Sequence, residues 1–211
     1  MKRILLIHSS LFGDDSVSTG IAQSLVGRLK REHPGSKVTT VDLTREAPSH
    51  LGAAEFTSWS VPEEQRTAEQ RSLAGVSDRL VEQLLSHDTL VLAVPMYNLG
   101  IPSTLKAWID RVARAGKTFA YTSEGPRGLV QGTRAYLVLS RGGQYRGTPL
   151  DTQTDYLTSV LGLMGIKEVE TIFAEGLNMG GEMRQKSIEA ALAQVGELPV
   201  TEHEEYEHAA A

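Results

Sequence analysis

Five short apolar runs, each followed by an amphipathic helical stripe, constrain this chain more than any other feature. The runs are Ile4–Ile7, Val38–Val41, Thr89–Val94, Ala135–Leu139 and Val169–Phe173. They are rich in β-branched residues and do not alternate with polar ones, the pattern of strands buried on both faces. Between and after them, apolar residues recur at helical spacing. The stripes are Ile21, Leu25 and Leu29; Leu73, Val76, Leu80 and Leu84; Leu105, Trp108, Ile109 and Val112; Leu157, Val160, Leu161 and Met164; and Ile188, Ala191, Leu192 and Val195. Pro102 and Gly116 mark the start and end of the third stripe, as proline and glycine do at helix termini. The alternation predicts an α/β domain built as a doubly wound, five-stranded parallel sheet. Right-handed crossovers leave few topologies, and strand order 2-1-3-4-5 is the expected one.

The expectation is one domain over residues 1–200, followed by an acidic, flexible tail at 201–211. One stretch fits no element: Thr44 to Glu64, with Pro48, Phe56, Trp59 and Pro62. A loop of this length in a compact domain is a lid, a subunit contact or a disordered insert. There is no cysteine, which excludes disulfides, thiolate metal sites and a cysteine nucleophile. The net charge of -5 argues against nucleic acid as the main partner. No run approaches the roughly 20 apolar residues that span a bilayer. MKRILLIHSS is too short in its apolar part to be a signal peptide, so a cytoplasmic location is expected.

In an open parallel sheet, ligands sit beyond the carboxyl ends of the strands, where the strand order reverses. Three loops should converge there: His8–Ser18, Pro95–Pro102 and Ser140–Thr148. The first carries Ser9, Ser10, Ser16, Ser18 and Thr19 into a helix start. Hydroxyls beside free amides make an anion site, although Ser16 or Ser18 could equally cap the helix. Neither a Gly-x-Gly-x-x-Gly nor a Gly-x-x-x-x-Gly-Lys-Ser run is present. A single terminal phosphate therefore fits better than a pyrophosphate. The second loop, Pro95-Met96-Tyr97-Asn98-Leu99-Gly100-Ile101-Pro102, is stiffened by its prolines and offers flat, polarisable contact to a ring. The third, Ser140-Arg141-Gly142-Gly143, lets backbone amides approach a planar ligand edge. Together the loops describe a site for a phosphorylated planar heterocycle, with FMN as the candidate.

Longer stretches carry a resemblance. Ser9-Ser10 with Ser16-Val17-Ser18, the run PMYNLGIPSTLKAWIDRVARAGKTFAYTSEGPRGL from Pro95 to Leu129, SRGGQY at 140–145 and LGLMGIKEVETIFAEGL at 161–177 occur in order through most of the chain. In these the chain resembles the FMN-dependent NADH-azoreductases, bacterial NADH:quinone oxidoreductases of flavodoxin-like fold. The resemblance implies FMN contacts at Ser10, at Ser16, Val17 and Ser18, at Met96, Tyr97, Asn98 and Leu99, and at Ser140, Arg141, Gly142 and Gly143. It implies a homodimer with interfacial active sites, and hydride transfer from NADH to quinones by a ping-pong mechanism. Reductive cleavage of aromatic azo compounds to amines is implied as well. The substrate pocket would include Tyr121, Phe119, Leu163 and Trp59. The chain departs from its relatives at Leu99 and Leu163, where they often carry Phe, which bears on substrate range. No protein residue is expected to act as a catalytic acid, base or nucleophile, because FMN carries the chemistry.

Two readings compete. A flavodoxin-type electron carrier shares fold and cofactor, but would present an acidic docking face, where this chain has the basic run Arg141 to Arg146. A phosphorylated receiver needs an aspartate ending the third strand, where this chain has Pro95-Met96. A metal site is not indicated, since His33, His50, His87, His203 and His208 lack partners at ligand spacing. His8 reads as a packed strand-end residue.

Overall fold

A computed structural model of the chain describes residues 2–198; the 201–211 tail lies outside them. In chain order the elements are β1 (Arg3–His8), α1 (Val17–Glu32), β2 (Lys37–Asp42), α2 (Ala53–Trp59), α3 (Ala68–Leu85), β3 (Thr89–Pro95), α4 (Ser103–Val112), β4 (Phe119–Thr122), β5 (Gly125–Gly128), β6 (Arg134–Ser140), α5 (Thr152–Met164), β7 (Val169–Ala174) and α6 (Gly181–Glu197). The main sheet has order β2-β1-β3-β6-β7, and all its pairs are parallel. The order 2-1-3-4-5 expected from the sequence counted five strands. It missed the antiparallel hairpin β4–β5, whose strands have only four residues each and no apolar run.

Each strand sorts its side chains to two faces. Leu5 and Ile7 of β1 join a core with Leu105, Trp108, Ile109, Leu157 and Leu161, so α4 and α5 cover that face. Ile4 and Leu6 join the other core, with Ile21, Leu25, Ala191 and Val195 from α1 and α6. All seven residues of β3 are buried. Each fully buried Leu or Val contributes roughly 1.5–3 kcal/mol relative to exposure. On α3 the buried residues are Ala74, Ser77, Val81 and Leu84, so of the expected stripe Leu84 is fully buried while Leu73, Val76 and Leu80 are half-buried beside it. Ser77 is tolerated there because its hydroxyl donates to the Arg111 carbonyl at 2.6 Å. Leu192, expected in the last stripe, is 40% exposed.

The 44–64 stretch is ordered against the body and contains α2. The seven residues of α2 are too few to show a helical period. Arg111, fully buried on α4, reaches across to it. Its guanidinium donates to the Ser49 carbonyl at 3.0 Å, the Ser49 hydroxyl at 2.8 Å and Glu55 at 2.6 Å. Arg66 and Arg114 both pair with Asp78 on α3, and Arg114 lies 5.0 Å from the centre of the Trp59 ring.

The hairpin is docked by a contact between two glycines. A Cβ on Gly128 would strike the backbone of Gly165, the left-handed residue that ends α5. The Val130 amide donates to the Met164 carbonyl at 2.9 Å beside it. Gly128→Ala should therefore lower stability by about 1–3 kcal/mol, read as a drop in the urea midpoint. An unchanged midpoint would mean the hairpin is free to move off α5.

Candidate functional site

The three loops meet where the central strands end. His8 pairs with Ala93, and Pro95 with Ser140, so β1, β3 and β6 finish within a few residues of one another. A cleft of about 320 Å³ opens there.

The first wall comes from the loop after β1. Ser9 is spent on structure, since its hydroxyl donates to the Ala93 carbonyl at 2.7 Å. The Ser10 hydroxyl lies 3.2 Å from that of Tyr97, which also accepts from the Leu11 amide at 3.1 Å. Tyr97 thus ties the first loop to the second. The start of α1 differs from the starts of α3 and α5. Thr67 caps α3 and Asp151 caps α5 through their side chains. Ser16 sits at the equivalent position of α1 and makes no side-chain cap; its hydroxyl lies 3.1 Å from that of Ser18. Among the described residues, the amides of Val17, Ser18 and Thr19 donate to nothing. Three free amides and two buried hydroxyls at the positive end of a 16-residue helix make an anion cradle.

The second wall is a tight turn. The Tyr97 and Gly100 amides donate to one another's carbonyls at 3.0 and 2.9 Å, and Asn98 and Leu99 both have left-handed φ, 50° and 62°. This is the geometry of a two-residue primed turn, which normally wants glycine at its second position. Leu99 holds it under strain. Gln153 braces the turn, its side-chain amide donating to the Pro95 carbonyl at 3.0 Å and the Gly100 carbonyl at 3.2 Å. The Thr152 hydroxyl donates to the Leu99 carbonyl.

The third wall depends on a buried cation. The Arg141 side chain is fully buried. It pairs with Asp151 at 2.6 Å and Glu175 at 3.1 Å, and bonds Gln153 at 3.2 Å and Thr154 at 2.9 Å. Its amide donates to Ala174. What Arg141 gives the cleft is therefore backbone, with its guanidinium anchoring the loop from behind. Glu175 completes the anchor by accepting the Tyr145 and Arg146 amides at 2.8 and 2.9 Å. The amides of Gly142 and Gly143 have no acceptor among the described residues. A Cβ at Gly142 would come within 2.6 Å of the Asn178 side-chain amide, which would have to move aside.

Ser10, Ser16, Val17, Met96, Tyr97, Ser140, Arg141 and Gly142 line the cleft. Asn98 lines an adjoining hollow of about 560 Å³ with Leu11, Met96 and Ile101. Ser18, Leu99 and Gly143 flank these spaces in sequence without lining either. The lining also includes Phe12, Asp15, Pro95, Leu177, Asn178 and Arg184. The last three come from the segment after β7; Leu177 ends the 161–177 stretch, while Asn178 and Arg184 lie beyond every stretch quoted above. Tyr121, Phe119, Leu163 and Trp59 do not line the cleft within one chain. Tyr121 is 77% exposed and packs edge-on to buried Phe119 at 5.4 Å. Leu163 is half-buried on α5, and Trp59 sits between Arg114 and Phe56. His8 is buried with its Nε2 unpartnered. Burial pushes its pKa down, against the opposing pull of Asp42 and Asp14. Among the described residues no cluster of His, Asp and Glu could hold a metal ion.

The family model for the flavodoxin-like fold matches residues 2–198. The chain belongs to that family. Within the flavodoxin-like family it is 46% identical over 198 residues to the FMN-dependent NADH:quinone oxidoreductase 2 of Pseudomonas fluorescens, covering 94% of this chain and 100% of the relative. It is also 46% identical over 198 residues to the FMN-dependent NADH:quinone oxidoreductase of Azotobacter vinelandii, covering 92% and 100%. Among solved structures it resembles an azoreductase from Bacillus anthracis, with TM-score 0.85 and 29% identity over 92% of this chain and 97% of that one.

In this flavodoxin-like chain the Arg141 anchor sets an acid limit on stability. Burial disfavours the charged form of Asp151, but hydrogen bonds from Arg141 and Thr154, with the guanidinium's charge, outweigh it and hold the carboxyl below its usual 3.8. The stabilisation is present above about pH 4 and is lost as pH falls through the depressed value. Asp151→Asn should cost about 3 kcal/mol at neutral pH and flatten the acid limb of Tm against pH. An unchanged acid limb would show that other carboxylates carry it.

Proposed function

We propose that this chain is an FMN-dependent oxidoreductase that passes electrons from NADH to quinones and reductively cleaves aromatic azo compounds. One observation carries the reading: the first turn of α1 is left without a side-chain cap and faces a glycine loop whose amides are also free. In the interior of a protein such donors are costly unless a ligand accepts from them. Their division fits FMN, with an anion cradle at one end and in-plane donors at the other. The relatives' names and the azoreductase structure support the same reading.

Bound FMN supplies two-electron transfer between the nicotinamide donor and the acceptor. The chain supplies orientation. Ser16, Val17 and Ser18 would take the phosphate, and Ser10, held by Tyr97, guards its approach. Met96 to Asn98 would lie along the ring. The Gly142 and Gly143 amides would donate to the flavin's carbonyl edge and stabilise negative charge there. No side chain is required as an acid, base or nucleophile. Donor and acceptor use the same face in turn, which is a ping-pong scheme.

A single domain over residues 1–200 is proposed to pair with a second copy across this end of the sheet. Leu11 and Phe12, 68% and 69% exposed, lie in the loop after β1 beside the cleft, Met179, 55% exposed, follows cleft-lining Asn178, and Tyr121 projects from the hairpin with one edge against Phe119. Such a concentration of exposed apolar surface calls for cover, and in a dimer Tyr121 would serve the other copy's site. No described helix is long and apolar enough to cross a membrane, and we place the enzyme in the cytoplasm.

Two expectations test this. Replacing Ser10 and Ser18 together by Ala should weaken FMN binding about ten-fold or more, as lost hydrogen bonds to a charged group do; flavin fluorescence gives the constant, and equal affinity would remove the phosphate assignment. Varying NADH and benzoquinone together should give parallel double-reciprocal lines. Intersecting lines would mean that both substrates bind at once.

A further inference from the structure

The anion cradle is short of positive charge. A phosphate monoester carries about −1.5 to −2 at neutral pH. A helix N-terminus offers only about half a unit of positive charge, and the serines are neutral. Asp15 lines the same cleft, with Asp14 next to it in the chain, and both add repulsion. Of the two arginines among the described residues that line the cleft, Arg141 is already committed to Asp151 and Glu175. The other is Arg184. Its side chain makes no hydrogen bond, ion pair or ring contact among the described residues.

Its place in the fold brings it to the phosphate end. The helices α1 and α6 pack side by side and have 16 and 17 residues. Near the C-terminal end of α1, Arg28 donates to the carbonyls of Val195 and Leu198 at the end of α6. The two helices therefore run in the same direction and bring their N-termini together at the cleft. Arg184 is the fourth residue of α6, and side chains on a helix lean toward its N-terminus. It lines one cavity with Ser16 and Val17. Gly180 precedes α6 and supplies no side-chain cap, and Glu182, the carboxylate of the first turn, is paired with Lys186 at 2.6 Å.

We propose that Arg184 is the counter-ion of the cofactor's phosphate and the residue by which this chain prefers FMN to riboflavin. The inference rests on the FMN assignment above. A guanidinium can meet two phosphate oxygens at once, a geometry an ammonium does not reproduce. The charge it brings also offsets Asp15, which would otherwise oppose the ligand.

The test is binding, read by flavin fluorescence with FMN and with riboflavin, on the wild type, Arg184→Ala and Arg184→Lys. Arg184→Ala should weaken FMN about 10- to 100-fold while leaving riboflavin within about two-fold. Arg184→Lys should recover part of the loss, since charge is kept and the fork is not. FMN affinity should fall more steeply with salt in the wild type than in Arg184→Ala. Equal loss for both flavins would make Arg184 a structural residue and overturn the proposal. Unchanged FMN affinity with a raised KM for NADH would overturn it too, and would move Arg184 to the nicotinamide substrate. A wild type that binds FMN no better than riboflavin would remove the FMN reading itself, a result separate from either of those.

Discussion

The central strands of this protein are buried on both faces, and much of the molecule follows from that. Two apolar cores press on β1, β3 and β6 from opposite sides. Polar groups have no place along these strands and are pushed to the ends. Because the strands are parallel, their carboxyl ends lie on one edge, where register brings His8, Pro95 and Ser140 to similar heights. Chemistry in such a sheet is confined to the loops that leave that edge.

Loops gain no stability from the sheet itself, so each is held by its own polar ties. Tyr97 joins the first loop to the second through its hydroxyl. Gln153 braces the second from α5. Arg141 fixes the third by burying a full charge between two carboxylates. These are interactions in which losing one partner strands the other, so the geometry is enforced rather than merely favoured. On the far side of α4, Arg111 holds the α2 segment in the same manner. Around the cleft, the groups without a partner among the described residues include the first amides of α1, the amides of Gly142 and Gly143, and the guanidinium of Arg184. That unpaired remainder describes a ligand with an anionic end and a hydrogen-bonding planar edge.

The three central strands were legible in the sequence because a strand buried on both faces needs an unbroken apolar run, as Leu90 to Val94 shows, while the half-exposed edge strands β2 and β7 show only mixed runs. The convergence of three loops on one cleft was legible because they follow those strands. The hairpin β4–β5 was not, since Gly125-Pro126-Arg127-Gly128 packs through the absence of side chains. The helix α2 was not, because seven residues held by Arg111 from 56 positions away leave no local period. Arg141 is a cofactor contact by the resemblance, and its place beside the site is legible from the loop that holds it. Only its three-dimensional partners show an internal anchor. Asn178 and Arg184 lie beyond the last stretch that carries the resemblance, and Arg184 reaches the cleft through the packing of α6 on α1.

The central claim is that this site accepts electrons from NADH two at a time. An anaerobic titration of the FMN-loaded protein with NADH, followed by visible absorbance, tests it most directly. The expected result is a direct bleach of the flavin that is complete at about one NADH per FMN, as a two-electron cofactor requires. Tightly bound FMN that NADH leaves oxidised, while a one-electron donor reduces it, would contradict the claim and make the protein an electron carrier on the same fold.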